Sequence, residues 1–365
     1  MNRAFRLASH CAPSRSTLAL QASQSHALDA SRGCSHGTML DSALRVVLGT
    51  MTFAGQTSQR DAATMLRTFL GAGHVEIDTA RMYMSGETES CLGAIFDEEP
   101  ALRRLKTSTK ANAFQGYDKS LDAASVAAQF RSSRAALRGA PVQIYYLHNP
   151  DGATPILETL EAVDALHRAG AFEELGLSNF AAWEVAHIYH LCAAKGFVKP
   201  SVYQGMYNGL TRDVERELLP CLRALGMRFY AYNPLCGGLL ACKHTRASLA
   251  DLDDGSRFRK DNTMYRERYL QDVQLSAVDA FKAACDAAAT PPVHAALRWM
   301  SHHSKLAPGD GIIIGASKVA HLEDNLAGLG GGPLDDGVVA SLDAGWAAVK
   351  ASGLCPSYER GTSKY

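Results

Sequence analysis

Arg45-Val46-Val47-Leu48-Gly49-Thr50-Met51-Thr52-Phe53-Ala54-Gly55 decides between two architectures. The run Arg45–Gly49 has the apolar interior of a buried strand. A doubly wound dinucleotide-binding sheet needs a GxGxxG turn directly after its first strand, because only glycines let the backbone reach a pyrophosphate. Thr50 to Gly55 does not supply that turn. The alternative is a barrel, and the rest of the chain supports it. Further apolar runs occur at Val75–Thr79, Lys106–Lys110, Gln143–His148, Glu174–Ser178, Ser201–Tyr207, Met227–Asn233 and Gly311–Gly315. Helical patterns separate them: Ser58–Gly71, Ser85–Phe96, Leu121–Gly139, Pro155–Gly170, Trp183–Gly196 and Arg212–Gly226. Several close on a glycine, a usual helix stop. The alternation predicts a (β/α)8 TIM barrel with a long loop, Cys236–Leu270, after strand 7 and an additional C-terminal helix over Pro333–Lys350.

The composition bounds the function. Lys plus Arg and Asp plus Glu each total 37 of 365 residues, so the formal charge is zero and general polyanion binding, nucleic acid included, is disfavoured. Apolar residues make up 47%, enough for a large core. No run of about 18 uninterrupted apolar residues exists, so a spanning helix is not expected. The nine cysteines lack CxxC or zinc spacing and read as reduced thiols. Residues 1–42 stand apart: Arg3, Arg6, Arg15 and Arg32, many Ser and Ala, and no acid before Asp29. This is the composition of an organelle transit segment, or of a polar extension carrying no address. The expected barrel domain is 43–365, and the expected location is cytoplasmic, or mitochondrial or plastid where residues 1–42 serve as a transit segment.

In a barrel, reactive groups gather where the strands end. Asp78 ends the second run, with Tyr83 five positions later. Lys110 ends the third and His148 the fourth. Ser178-Asn179 follow the fifth, Gln204 lies in the sixth, and Tyr232-Asn233 end the seventh. Taken singly, each has a structural reading: Asp78 as a turn cap, Tyr83 as a half-buried aromatic, Lys110 as surface charge, His148 as a satisfied loop histidine. Together they would converge on one mouth. A tyrosine hydroxyl can protonate a developing alkoxide. A buried ammonium beside it is expected to lower its pKa, and the ammonium in turn needs a carboxylate, which Asp78 provides. A neutral histidine can orient a carbonyl. The set provides no hydride, so carbonyl reduction implies a nicotinamide cofactor.

The pattern Asp78-Thr79-Ala80-x-x-Tyr83, then Lys110, then Tyr146-Leu147-His148, resembles the catalytic tetrad of the aldo-keto reductases. The chain is similar in particular to the aflatoxin aldehyde reductase and succinic semialdehyde reductase family. That similarity rests on Val202-Tyr203-Gln204-Gly205-Met206-Tyr207-Asn208, Arg228-Phe229-Tyr230-Ala231-Tyr232-Asn233-Pro234-Leu235, Gly237-Gly238-Leu239-Leu240 and Ala296-Leu297-Arg298-Trp299-Met300. It covers about Ala43 to Arg360. The resemblance implies an NADPH-dependent reductase of small aldehydes, with Tyr83 as general acid, Lys110 and Asp78 behind it, and His148 on the carbonyl. It implies nicotinamide contacts from Ser178, Asn179 and Gln204, with Tyr232 stacked on the ring and Met51 nearby. Asn233, Pro234, Leu235, Gly237, Gly238, Leu239, Leu240 and Arg257 would follow the pyrophosphate. Gly315, Ser317, Lys318, His321, Asp324 and Asn325 would hold the adenosine 2′-phosphate and adenine. Arg268 and Arg360 match positions facing a substrate carboxylate, and a homodimer is implied. No metal is expected.

Two departures stand out. The family often has an apolar residue where this chain has Arg81, a cation that would alter substrate charge preference or point to solvent. The chain also continues five residues past Arg360, where close relatives tend to stop. Two other functions fit parts of the pattern. One is a non-catalytic NADP-binding regulatory subunit resembling potassium-channel β subunits. The other is a Schiff-base aldolase using Lys110. The intact set Asp78, Tyr83, Lys110 and His148 favours a reductase.

Overall fold

The computed structural model describes residues 43–113, 120–244, 248–252 and 257–365. The N-terminal extension read as a transit segment lies outside them. The strands β1 (Arg45–Gly49), β2 (Glu76–Asp78), β3 (Lys106–Ala111), β4 (Val142–Leu147), β5 (Phe172–Ser178), β6 (Pro200–Met206), β7 (Arg228–Tyr232) and β8 (Gly311–Gly315) pair in chain order, and β8 closes on β1. All pairings are parallel, as the apolar character of the runs requires when helices cover the outer face. The protein is a (β/α)8 barrel.

The helices follow local signals. Gln59–Gly71 starts at Ser58, whose hydroxyl accepts the Asp61 N–H at 3.1 Å. Its Ala62, Met65, Leu66 and Phe69 recur at three and four residues and are fully buried against the sheet. The expected helix over Ser85–Phe96 divides: a tight turn, Tyr83–Gly86, precedes a helix that runs Glu87–Glu98. Gly86 at φ 100 breaks helical continuity there. Arg212–Gly226 divides as well, into a turn at Asp213–Glu215 and a helix at Leu218–Ala224. Pro220 has no N–H to donate and is tolerated only in a first turn, so the helix begins just before it. The long loop after β7 carries a helix of its own, Thr263–Tyr269, and leads to Asp272–Ala287 and Pro292–His302. The additional C-terminal helix is Asp336–Ala351, capped by Asp335.

Inside the barrel, Val47, Ile144, Tyr146, Val202, Tyr230 and Ile313 form a compact apolar plug. The two large rings fit because glycines face them. A Cβ at Gly311 would fall 2.9 Å from the Tyr230 ring, and one at Gly176 would overlap Tyr146. At the N-terminal face the barrel is closed by the ion pairs Arg45–Glu76 and Arg228–Glu174. At the C-terminal face the segment after the last helix crosses the loops that follow β4 and β5. The Arg360 N–H donates to Asn179 O at 2.8 Å, the Lys364 N–H to Asp151 O at 3.2 Å, and the Ile156 N–H to Lys364 O at 2.8 Å. Among the described residues no helix is long and apolar enough to cross a membrane.

Candidate active site

The register of the strands decides what meets at the C-terminal face. Gly49 pairs with Asp78 and with Gly315, and Ser178 with Gln204. The ends of β2, β5, β6 and β8 thus open at one level into a cleft of about 420 Å³, within the range of small-molecule sites. Its walls include Met51, Asp78, Tyr83, His148, Ser178, Asn179, Gln204, Tyr232, Asn233, Pro234 and Leu235. Gly237, Gly238, Arg257, Arg268, Gly315, Ser317, His321, Asp324, Asn325 and Arg360 line it as well.

At the floor, Lys110 is fully buried, and its ammonium donates to Asp78 Oδ1, Asp78 Oδ2 and Thr79 O, each at 2.7 Å. Those three bonds use all three of its protons. Gln204 Nε2 also donates to Asp78 Oδ1, at 2.9 Å. The Lys110 nitrogen lies 5.3 Å from the centroid of the Tyr83 ring and 5.5 Å from that of Tyr146. The expectation that Lys110 lowers the Tyr83 pKa is corrected here. Burial, followed by the negative charge of Asp78 and the neighbouring Tyr265 and Tyr232, holds the Tyr83 hydroxyl well above its ordinary value. The physical reason is the tight pairing: beside Asp78 the ammonium presents little net charge, and desolvation of a phenolate dominates. Tyr83 is therefore a protonated phenol at neutral pH. His148 is moved the other way. Burial, then the charges of Lys110 and Arg360, hold its imidazole well below the ordinary range, so it is neutral. Its ring meets that of Tyr83 edge-on, with centroids 6.2 Å apart.

Above the floor lies a cluster of amides and hydroxyls. Asn179, at φ 64, donates through Nδ2 to His148 O at 2.8 Å and to Ser178 Oγ at 3.0 Å. Its Oδ1 accepts the Tyr232 hydroxyl at 3.0 Å. This cluster has the donors and acceptors a carboxamide requires. Farther along, the turn Cys236–Ala241 bends through Gly237 at φ 70 and Gly238 at φ 108. A Cβ at Gly238 would meet nothing within 4 Å, so the backbone there is open to a ligand. Near Gly315 stands Arg257, whose Nη2 would be 3.5 Å from a Cβ on that glycine. Lys243 and His244 line the same end. Amides at one end and cations with a hydroxyl at the other fit a dinucleotide carrying phosphates.

Four of the residues singled out lie off the cleft walls, Lys110 in the floor beneath them among these. Leu239 and Leu240 turn into the core, 3% and 0% exposed. Lys318 is exposed beside the cleft, near enough that its charge, with burial and Lys243, depresses the His321 pKa. Lys243, His244, Gln56 and Tyr265 line the cleft without having stood out in the sequence. Lys243, His244 and Gln56 lie outside the helices and strands, and Tyr265 in the short helix Thr263–Tyr269, where no long periodicity marks them. Arg81 does neither of the things expected of it: its guanidinium pairs with the fully buried Glu89 and caps Gly86 O.

At the outer mouth, Arg268 lies over the rings of Tyr265 and Tyr269, 5.7 and 5.9 Å from their centroids. Arg360 Nη2 reaches Met264 Sδ at 3.8 Å. Burial, and the like charge of Arg268, lower the Arg360 pKa, and both residues line the cleft. Among the described residues no group of His, Cys, Asp and Glu is suited to hold a metal ion, and the described cysteines are unbridged.

The chain matches the model of the aldo/keto reductase family over residues 45–347. It is 44% identical over 323 residues to the human protein named aflatoxin B1 aldehyde reductase member 2, covering 86% of this chain and 89% of that one. It is 43% identical over 328 residues to human aldo-keto reductase family 7 member A3, covering 86% and 96%. A fungal relative, oxidoreductase sirO of Leptosphaeria maculans, is 39% identical over 289 residues, covering 77% and 84%. With the closed barrel and this cleft, the matches show that the chain belongs to the aldo/keto reductase family and is an oxidoreductase.

Proposed function

We propose that the chain is an NADPH-dependent reductase that converts aldehydes to alcohols, favouring acidic aldehydes such as succinic semialdehyde and accepting aflatoxin dialdehyde-like and other reactive carbonyls. The observation that carries this reading is the pairing of a protonated Tyr83 with a neutral His148 above the Asp78–Lys110 ion pair, within one cleft. A nicotinamide cofactor, when bound, supplies the hydride that the side chains lack. Ser178, Asn179 and Gln204 would hold its carboxamide, Tyr232 its ring, and Gly237, Gly238 and Arg257 its phosphates. Lys243, His321 and Ser317 support the choice of the 2′-phosphorylated form, since a cation, an imidazole and a hydroxyl gather there.

The residues divide the proton work. His148, being neutral, hydrogen-bonds the substrate carbonyl oxygen and does not compete as an acid. The Tyr83 hydroxyl gives its proton to that oxygen as charge develops on it. The phenolate left behind, desolvated and near Asp78, is a strong base and regains its proton from solvent. Asp78 holds Lys110 charged and in place; without a partner a desolvated ammonium would lose its proton. At the mouth, Arg268 and Arg360 take the carboxylate of the substrate. The working form is a homodimer in this reading, and residues 1–42 direct it to an organelle if a fluorescent fusion of them leaves the cytosol.

The test is oxidation of NADPH, and separately of NADH, with succinic semialdehyde and with 4-nitrobenzaldehyde. Turnover with both aldehydes, higher with NADPH, supports the proposal. Tight NADPH binding without turnover on any aldehyde would favour a regulatory subunit.

A further inference from the structure

Tyr83 stands at the start of a turn that is unfavourable by itself. Met84 (φ 47, ψ 40), Ser85 (φ 54, ψ 28) and Gly86 (φ 100) are three consecutive left-handed residues, and only the glycine is at ease there. Such a turn persists only where its surroundings hold it.

The holding contacts converge on Arg81. Its Nη1 donates to Gly86 O at 3.1 Å and to Glu89 Oε2 at 3.3 Å. Ser90 Oγ adds a second bond to Gly86 O, at 3.2 Å. Glu89 is fully buried, and its Oε1 accepts the Thr109 hydroxyl at 2.6 Å. Thr109 is the residue before Lys110 on β3. The chain Gly86–Arg81–Glu89–Thr109 therefore ties the far end of the Tyr83 turn to the strand that carries the ammonium. The fit is close: a Cβ on Gly86 would overlap the Arg81 guanidinium. Arg81 itself does not line the cleft.

We propose that Arg81 is a positioning residue that fixes the Tyr83 hydroxyl against Lys110 and His148 by clamping the turn to Glu89. The inference rests on the reading of Tyr83 as proton donor. Because Arg81 reaches neither substrate nor cofactor, its loss acts on turnover and leaves binding intact. Because it acts through Tyr83, its effect vanishes once the Tyr83 hydroxyl is gone.

The experiment compares Arg81→Met, Arg81→Lys, Tyr83→Phe and the double variant Arg81→Met/Tyr83→Phe. The readouts are kcat and KM for 4-nitrobenzaldehyde and the NADPH Kd from protein fluorescence. Arg81→Met should lower kcat about 10-fold or more, as small misplacements of a reacting group do, with KM and Kd within about twofold. Arg81→Lys, which keeps a donor for Gly86 O, should recover part of the loss. The double variant should be no slower than Tyr83→Phe alone. Should Arg81→Met unfold because it strands Glu89, Arg81→Met/Glu89→Gln takes its place, leaving no buried lone charge. A kcat within twofold of wild type in that variant, while Tyr83→Phe is crippled, overturns the positioning role. An equal loss on top of Tyr83→Phe overturns it too. Wild-type turnover in Tyr83→Phe would instead remove the proton-donor reading beneath it.

Discussion

Lys110 and Asp78 form a two-pronged ion pair in the floor of the cleft, with both carboxylate oxygens 2.7 Å from one ammonium and the side chains 0% and 5% exposed. Neither charge could remain there alone, because the desolvation cost of a buried ion is met only by its partner. The pair therefore behaves as one unit for stability and as separate groups for function.

Lys110→Met strands Asp78 and should cost about 3–5 kcal/mol in urea unfolding. Asp78→Asn/Lys110→Met removes both charges and should recover most of that stability while remaining inactive. A double variant as unstable as the single one would contradict the pairing.

The His148 imidazole is held neutral by burial, so its folded pKa lies below its unfolded value near 6.5. A depressed pKa contributes stability that is present above the unfolded value and lost as pH falls toward the folded one. Below about pH 6.5 the unfolded chain gains a proton at His148 that the folded chain refuses, at up to about 1.4 kcal/mol per pH unit. His148→Gln should flatten the fall in stability between about pH 6.5 and 5, read as chemical denaturation midpoints at each pH. An unchanged slope would show that the imidazole protonates readily in the fold.

The barrel was legible because its strands are bounded apolar runs. The expected Gly311–Gly315 and Arg45–Gly49 coincide with β8 and β1, and the others differ by a few residues at their ends. Turn chemistry was harder to read. The reading at Ser85 missed that Gly86 breaks the helix, and at Arg212 it missed that Pro220 sets the start. Of the site, the strand-end groups were legible because a barrel converts sequence position into a shared mouth. The direction of the Tyr83 shift was not, because it depends on how completely Asp78 offsets Lys110, a matter of distances. Lys243 and the Arg81–Glu89 pair were hidden for the same reason.

For the cofactor, the cleft points to Lys243 and Arg257 more than to Lys318. Lys243→Ala and Arg257→Ala should each weaken NADPH by about 1.5–3 kcal/mol, the value of a charged hydrogen bond. Lys318→Ala should cost less. Fluorescence titration with NADPH and NADH checks this: a loss confined to NADPH marks the 2′-phosphate, and equal losses for both place the cation on the shared phosphates.

Arg268 and Arg360 come from the loop after β7 and from the C-terminal segment, and both line the cleft. Removing either should raise KM for succinic semialdehyde about 10-fold or more, since the lost contact is charge-assisted. The kcat/KM for 4-nitrobenzaldehyde, which has no carboxylate, should change little. Parallel losses for both aldehydes would reject a carboxylate clamp.

The central claim is that the Tyr83 hydroxyl is the proton donor. Single-turnover oxidation of bound NADPH by 4-nitrobenzaldehyde, compared between wild type and Tyr83→Phe, tests it most directly, because the substitution removes one oxygen and leaves the ring in place. The account predicts a rate at least about 10²-fold lower, the low end for acid catalysis, with NADPH Kd unchanged. A Tyr83→Phe rate equal to that of wild type would contradict it.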